Sequence, residues 1–475
     1  MTAASTREAR WAAFVRSRTQ GAEPARAPRL FERVRWTVIF VAFLAYVFAI
    51  TTYRLPIGNI AMMAGLLGVV LQPDQKRLPG LLVWFAAFIF WCAVGYVVSP
   101  YPDATRTGLI DLLKVWAVVL VAVNALRSPQ QIRLFIVFFL GCFALYPLRG
   151  SLFNYFIYNS TVFGRAIWNY VYSNPNDLAA LALLQLSMVA SVLATERRGW
   201  VKRAAQVGAA LLPLLVLMTQ SRGGFLALLV FAATCAAGQW RRLRAAIGTA
   251  NRARTIVFGI AIVAVVAFFA PDGVWQRVAG LQHLTTTERL DRVDREGSAR
   301  QRYEIWKVAG KMIRTRPLTG VGIDAYPLAH ESYARGEEFN RTAAGQRDTH
   351  STVLNLVAET GIPGLLIWIG VVLSVVLPAE RLRRRCKRQA PEKGLPLFYL
   401  EAGLVAFAAA GIFGSFAHLS FLYIHLGLLW ALTQCVRGEL EISRWPAPTE
   451  TARHLRGLRE LDMNQARVGA HPLAR

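Results

Sequence analysis

Pro79-Gly-Leu-Leu-Val-Trp-Phe-Ala-Ala-Phe-Ile-Phe-Trp-Cys-Ala-Val-Gly-Tyr-Val-Val98 is a run of 20 residues without one charged side chain. At the rise of an α-helix, about 20 apolar residues cross the roughly 30 Å hydrocarbon core of a bilayer. Its apolar residues are not confined to one stripe, so it reads as a helix surrounded by lipid and other helices. Working outward, similar blocks recur at about 34–52, 56–72, 107–126, 131–148, 176–195, 202–219, 223–239, 253–271, 361–378, 395–416 and 419–436. With 79–98 they make twelve, and the expected fold is an all-α polytopic membrane protein.

The composition agrees. Of 475 residues, 55% are hydrophobic and 17% charged, too apolar for an ordinary soluble enzyme and too charged for a chain that is all membrane. The formal net charge of +26 raises the question of nucleic acid. The basic residues sort by loop instead. With the N-terminus inside, the inner segments hold Arg7, Arg10, Arg16, Arg18, Arg26, Lys76, Arg77, Arg197, Arg198, the clusters at 241–254 and 381–388, and the C-terminal tail. The short outer loops carry few, chiefly Arg54, Arg106, Arg149, Arg165 and Arg222. That asymmetry is the positive-inside rule repeated over successive loops, and no nucleic-acid partner is expected. The first apolar block follows a basic stretch of 33 residues with no small-residue cleavage site, so an uncleaved first span is expected. The five cysteines fall in spans or on the inner side, which argues against a disulfide framework or a cysteine zinc site.

The resulting organisation is a basic cytoplasmic tail (1–33), spans one to nine (34–271), a long outer loop (272–350), spans ten to twelve (351–436) and a basic cytoplasmic tail (437–475). A connection of roughly 80 residues is too long to be a simple link and is a candidate functional element. Within it, 300–314 places Tyr303, Ile305, Trp306, Val308, Ala309, Met312 and Ile313 largely on one helical face, an amphipathic helix at the membrane surface or capping the spans. Pro317 ends it and Gly320-Val-Gly322 makes a turn.

Four outer features could carry chemistry, and each has a plainer reading. Arg222, in Thr219-Gln-Ser-Arg222-Gly-Gly, emerges between two spans, or simply snorkels to the headgroups. Arg300 and Arg302 are ligands, or the polar face of the amphipathic helix. His350, in Asp348-Thr-His350, is a site residue, or a polar helix start. Asn176 and Asp177, in Asn174-Pro-Asn-Asp177, equally suit an N-cap. Asp111 and Lys114 lie one turn apart inside a span and read as a self-satisfying pair. His418 and His425 read as structural.

The order Ser221-Arg222-Gly-Gly, Arg302-Tyr-Glu-Ile-Trp306, Pro317-Leu-Thr-Gly-Val-Gly322 and His350-Ser-Thr-Val-Leu-Asn-Leu-Val-Ala-Glu359-Thr-Gly-Ile-Pro-Gly364 resembles the O-antigen ligase and polymerase superfamily, over roughly 170–435. The resemblance implies a glycosyltransferase that moves a glycan from undecaprenyl pyrophosphate to an acceptor at the periplasmic face of the bacterial inner membrane, with the long loop periplasmic. For the ligase branch the acceptor is a sugar of the lipid A core and the product lipopolysaccharide. No metal, cofactor or nucleotide sugar is expected. The family's loop-exit histidine matches His350, and its arginines match Arg222 and Arg302.

The chemistry asks for the same residue types. Pyrophosphate leaving an anomeric carbon gathers negative charge, and without a divalent ion that charge must meet fixed cations or aligned donors. Arginine binds phosphate oxygens bidentately and stays charged. Arg222 and Arg302 are therefore expected on the pyrophosphate, with Arg149, Arg165 and Arg300 as helpers. The acceptor hydroxyl must lose a proton, and an imidazole can take it near neutral pH, so His350 is the expected general base. A single displacement would invert the anomeric centre. Asp348 and Glu359 are candidates for orienting His350, although Glu359 lies about two and a half turns farther along a helix, and Asn176 is a further supporting residue. An O-antigen polymerase and a protein O-oligosaccharyltransferase share the fold and donor. A lipid-linked glycan transporter is the alternative from another class, disfavoured because no internal repeat is visible and most of the loop mass lies on one side.

Overall fold

The computed structural model describes residues 34–72, 76–239, 298–335 and 344–444. Sixteen helical segments account for nearly all the regular structure there, and no strand longer than an isolated bridge between Val162 and Arg165 occurs among the described residues. The helices are α1 (Val38–Thr52), α2 (Gly58–Val70), α3 (Gly80–Val98), α4 (Pro102–Ala125), α5 (Pro129–Phe143) and α6 (Arg149–Phe156), the last two joined by a π-turn, Ala144–Leu148. A short 3₁₀ turn, Tyr170–Ser173, leads into α7 (Pro175–Thr195), α8 (Gly199–Met218) and α9 (Arg222–Gly238). After the undescribed segment come α10 (Ser298–Thr315), α11 (Tyr326–Tyr333), α12 (Thr352–Gln389), α13 (Leu395–Ala410) and α14 (Ser420–Arg444). Eleven of the twelve expected spans coincide with helices, and the twelfth, 253–271, lies outside the described residues.

Six of these helical stretches are long and apolar enough to cross a bilayer: α3, α4, the unit from Pro129 to Phe156, α7, α8 and α12. The outward faces make the same point. On α2 the exposed residues Ile60, Met63, Leu67 and Val70 form a stripe, and on α12 Ile362, Leu366, Ile369, Leu373 and Leu377 form another. Spacings of three and four put each set on one helix face, and apolar stripes turned away from the core belong against hydrocarbon. The protein is a multi-pass membrane protein.

Helix α7 is central, buried along most of its length, with α13 and α8 packed against it. α13 also packs on α9, α12 on α3 and α14, and α1 on α2 and α5. Connections gather at two ends. At one end Asn124 of α4, almost fully buried, accepts from the Arg77 amide at 2.9 Å, while Gln131 donates to the Arg35 carbonyl at 2.7 Å. Arg133 is paired with Glu196, Arg383 with Glu401 and Lys393 with Glu439 at the same end. The opposite end carries Ser99, the loop 316–325, the segment 348–352, the turn 411–416 and the starts of α4, α7 and α9.

Several boundaries differ from the sequence reading. α13 ends at Ala410, short of 416, because 411–419 folds back as turns under the start of α12. The fifth span runs on past 148, since the π-turn absorbs Pro147 and α6 continues to Phe156. The α7 cap is Asn174, whose side chain accepts from the Asn176 amide, so neither Asn176 nor Asp177 caps it. The amphipathic helix forms as expected, burying Ile305, Val308, Ala309 and Met312, but Tyr303 falls on the exposed side. Asp111 and Lys114 do pair, at 2.8 Å. His425 is fully buried, with Nε2 3.0 Å from the Leu400 carbonyl, a structural role as expected.

Candidate functional site

The site is built around a break in α12. Gly361 has φ +72°, ψ 178°, which interrupts the helix and releases the groups that would have been bonded across that turn. Each finds a partner. The Val321 and Gly322 amides donate to the carbonyls of Ala358 and Glu359, both at 2.9 Å, and Ile362 N donates to the Pro317 carbonyl at 2.8 Å. Trp91 of α3 donates its indole N–H to Thr360 O at 2.9 Å. Only glycine fits the junction: a Cβ on Gly361 would lie 1.8 Å from the Leu318 carbonyl, and one on Gly320 2.3 Å from Glu359. The loop 317–322 is thereby locked into the helix, and Ser99 fastens it again through the Val321 carbonyl at 2.7 Å. Irregular backbone is tolerated at such depth only where protein satisfies it.

His350 stands just before the start of this broken helix. Its φ of +49° is uncommon for a residue with a Cβ and is held by its neighbours. Thr349 is completely buried, and its hydroxyl bonds Ser415 at 2.8 Å and the Ser351 carbonyl at 3.0 Å. Thr352 bonds the Gly414 carbonyl and accepts from Phe416 N, so the segment is stitched to the turn 411–416. Trp306 of α10 donates to the Thr349 carbonyl at 2.9 Å. Nδ1 of His350 lies 3.2 Å from Asp348 Oδ2, and Asp348 Oδ1 accepts from Ser415 Oγ at 2.7 Å. Burial works to raise the Asp348 carboxyl, but the hydrogen bonds from His350 and Ser415 outweigh it and hold the group below its ordinary range. An imidazole that donates from Nδ1 to a carboxylate keeps Nε2 as an acceptor.

The helices that carry two of the arginines reach the same segment and the turn bonded to it. Arg222 is the first residue of α9, after the cap Ser221. A Cβ on the next residue, Gly223, would meet Phe413 at 3.0 Å, so α9 starts directly against the turn that carries Ser415. Arg302 lies one turn before Trp306 on α10, and residues four apart share a helix face. Arg165 directs its guanidinium to the Thr219 carbonyl at 2.8 Å and to Asn176 Oδ1 at 2.9 Å, and Ser221 Oγ donates to that same oxygen at 2.8 Å. Asn176 and Arg165 thus brace the corner from which Arg222 emerges. Arg149 is exposed at the start of α6, with its guanidinium 4.6 Å from the Phe153 ring centre. The Arg300 side chain lies outside the described residues.

On the far side of Asp348 a cavity of about 420 Å³, whose lining does not include His350, lies between α3, α4, α7, α12 and the loops 323–327 and 415–418. Asp111, Asp177, Asp324, Asp348 and Glu359 line it, together with His418. Glu359 is nearly buried and accepts from the Tyr326 amide at 3.2 Å, so it holds the loop after Gly322. Burial raises the Asp324 carboxyl, with His418 opposing and Asp111 adding to the shift, and burial lowers His418. No signal in the motifs marked Asp324, Asn355 or Ser415. The Gly411-Ile-Phe-Gly-Ser415 stretch did carry turn composition inside an assumed span, and that composition could have exposed Ser415.

A model of the family described as O-antigen ligase matches residues 207–369. That stretch is similar to the O-antigen ligase family. The matched region runs from α8 through the break in α12 and includes Arg222, Arg302, His350 and Glu359, while Ser415, Asn176 and Arg165 lie outside it. No curated protein matches the chain. The similarity supports a glycosyltransferase-like enzyme, and the matched stretch carries the break in α12 and the segment 349–352.

Proposed function

We propose that this protein is an O-antigen ligase: it transfers a glycan from undecaprenyl pyrophosphate to a sugar of the lipid A core, without a metal ion and with inversion at the anomeric carbon. The observation that carries the reading is the convergence on residues 349–352: Trp306 brings the Arg302 helix to it, and the turn 411–416 joins it to the helix that Arg222 begins. Arg222 and Arg302 take the pyrophosphate oxygens, with Arg165 acting on the Arg222 corner and Arg149 and Arg300 as outer contacts for the same charge. His350, with Nδ1 turned to Asp348, accepts the acceptor's hydroxyl proton at Nε2 as the glycosyl bond forms. The glycosyl–phosphate bond breaks as that bond forms, and the electron pair leaves with the pyrophosphate.

In this reading the chain crosses the inner membrane twelve times, the loop 272–350 and the His350 end face the periplasm, and the tails 1–33 and 437–475 lie in the cytoplasm against anionic headgroups. The two-ended arrangement of the loops supports it, with the arginine-rich connections at the end away from His350.

The test is the purified protein in detergent with a synthetic undecaprenyl-pyrophosphate glycan and lipid A core, chelator present. Transfer to the core is the expected result. Growth of the donor chain would make the protein a polymerase, transfer to a serine or threonine peptide a protein O-oligosaccharyltransferase, and no chemistry at all would favour a transporter.

A further inference from the structure

Between Gly150 and Asn174 the connection from α6 to α7 holds a single charged residue, Arg165. That side chain turns inward, to the Thr219 carbonyl and Asn176. The outward side is apolar: Phe156, Ile157, Tyr158, Val162, Phe163 and Tyr170 are exposed, Phe163 at 89%. Phe163 and Gly164 form the tip of a hairpin closed by two hydrogen bonds between Val162 and Arg165, at 3.2 and 3.0 Å. Their φ values, +51° and +71°, suit Asn-Gly in a two-residue turn and are costly for a bulky side chain. The turn is held from the other side. Gln220, itself at φ +49°, donates to the Gly164 carbonyl at 2.9 Å, and Ala166 N donates to the Met218 carbonyl at 2.9 Å. Asn at the tip would meet water with less strain, so an aromatic ring kept in this turn and left uncovered by the protein calls for an apolar surrounding. Its depth is set by the spans. The unit from Pro129 to Phe156 has 28 residues, about 42 Å at the rise of an α-helix, which matches the roughly 40–45 Å of a bilayer with its headgroups. Phe156 therefore leaves the span at headgroup level. Tyr53, directly after α1, stacks on Tyr170 with ring centres 4.2 Å apart, so a second span ends at the same level.

We propose that the hairpin 162–165, with 156–158 and Tyr170 beside it, is inserted into the leaflet at the His350 end, and that the Phe163 ring sits at the boundary between headgroups and acyl chains. The partner is the lipid surface itself. Aromatic rings favour that boundary, and the outward side of the hairpin carries no charge to be desolvated there. The tip is bonded to residues 218–220, so its seat in the leaflet also fixes the height of the turn that leads into Arg222. The insertion does not depend on which reaction the protein performs.

The test places a nitroxide at position 163 through Phe163→Cys in the full-length protein, reconstituted in phospholipid nanodiscs, with the native chain labelled in parallel to subtract its five cysteines. Oxygen concentrates in hydrocarbon and a nickel chelate stays in water, so the ratio of their effects on the label's relaxation reports depth. Leu366→Cys on the outward stripe of α12 gives the lipid limit, and Gln346→Cys, exposed before His350, gives the water limit. The ratio at 163 should lie well above that at 346 and toward that at 366. A ratio equal to that at 346 puts the tip in water and overturns the proposal, leaving the ring to a soluble ligand or a protein. A second variant tests the ring itself. Phe163→Asn, which the turn accepts with less strain, should leave Tm unchanged or raised and should shift a label at Tyr158→Cys toward the water limit. A label at 158 that stays in place while Tm is unchanged means that the ring does not hold the hairpin in the leaflet, and overturns the proposal as well. Neither arm uses donor or acceptor, so a failed transfer reaction counts against the ligase reading and leaves this result standing.

Discussion

His350 shows how much of this site is set by single side chains. It holds φ +49° because Thr349 is pinned from three sides and Thr352 is bonded to the turn beneath, so its imidazole is presented at a fixed angle to Asp348. Replacing Asp348 by Asn keeps the shape and removes the charge. Hydrogen bonds to charged groups are worth about 1.5–3 kcal/mol, so kcat should fall by about 10- to 100-fold, with the variant still folded by thermal unfolding in detergent. The carboxyl is held below its ordinary value in the folded state, so its contribution is complete above that ordinary value and is lost as pH falls through the lowered one. Acid should loosen the native 348–352 segment and leave the Asn variant indifferent over the same range, as hydrogen exchange of that segment would record. Gly361 makes a different case. Ala there would need φ +72° and would press on the Leu318 carbonyl, which should cost about 1–3 kcal/mol for the backbone alone and more for the clash, read as a lowered Tm. A Tm equal to the native one would mean that the 317–322 loop does not depend on the break. The motifs singled out Arg222, Arg302 and His350, and the structure brings the helices of the two arginines to the 349–352 segment and the turn bonded to it. Ser415 was not legible in the sequence, because its role comes from contacts with Thr349 and Asp348, 66 and 67 positions away.

At the scale of elements, α10 is more than a cap on the spans. Its buried face, Ile305, Val308, Ala309 and Met312, packs with Val321, Tyr326 and Ala329, and Trp306 reaches the Thr349 carbonyl. The amphipathic pattern was readable from spacing alone, whereas the partner of its buried face was not, since that face covers α11 and the loop after Gly322 instead of lipid. Trp306→Phe preserves the ring and deletes the donor. Leaving a buried carbonyl unsatisfied costs about 1–3 kcal/mol, and here the cost falls on the segment that presents His350. The variant should retain its α10 helix and donor binding while kcat drops by about tenfold. Unchanged kcat would show that α10 serves stability only. α12 carries a related lesson: the sequence places a span at 361–378, whereas the helix begins at Thr352, and its part before the break, Thr352–Thr360, faces protein on most sides. Pairing of Val321 and Gly322 with Ala358 and Glu359 joins segments far apart in the chain, which periodicity does not register.

For the whole molecule, hydrophobic blocks carried most of the information about the fold. Those blocks correspond to helices at eleven of the twelve positions, and the six long apolar ones suffice to make the protein multi-pass. Depth and neighbours were hidden: a block such as α7 looks like any other span, yet it is buried along most of its length, because α8 and α13 cover it. Orientation is open to direct measurement. A membrane-impermeant thiol reagent applied to intact cells with a permeable outer membrane should label Gln346→Cys, which is exposed beside the His350 segment, and spare Lys76→Cys at the other end. The reverse pattern would put the site in the cytoplasm and remove the ligase reading.

The most direct measurement is glycan transfer by the purified protein, with donor binding recorded alongside, for the native chain, His350→Ala, Arg222→Ala and Arg302→Ala. The account predicts that His350→Ala binds the pyrophosphate donor normally and loses about 10²- to 10⁴-fold in kcat, while the two arginine variants weaken donor binding and transfer together. Full transfer by folded His350→Ala, or unchanged donor binding and transfer in both arginine variants, would contradict it.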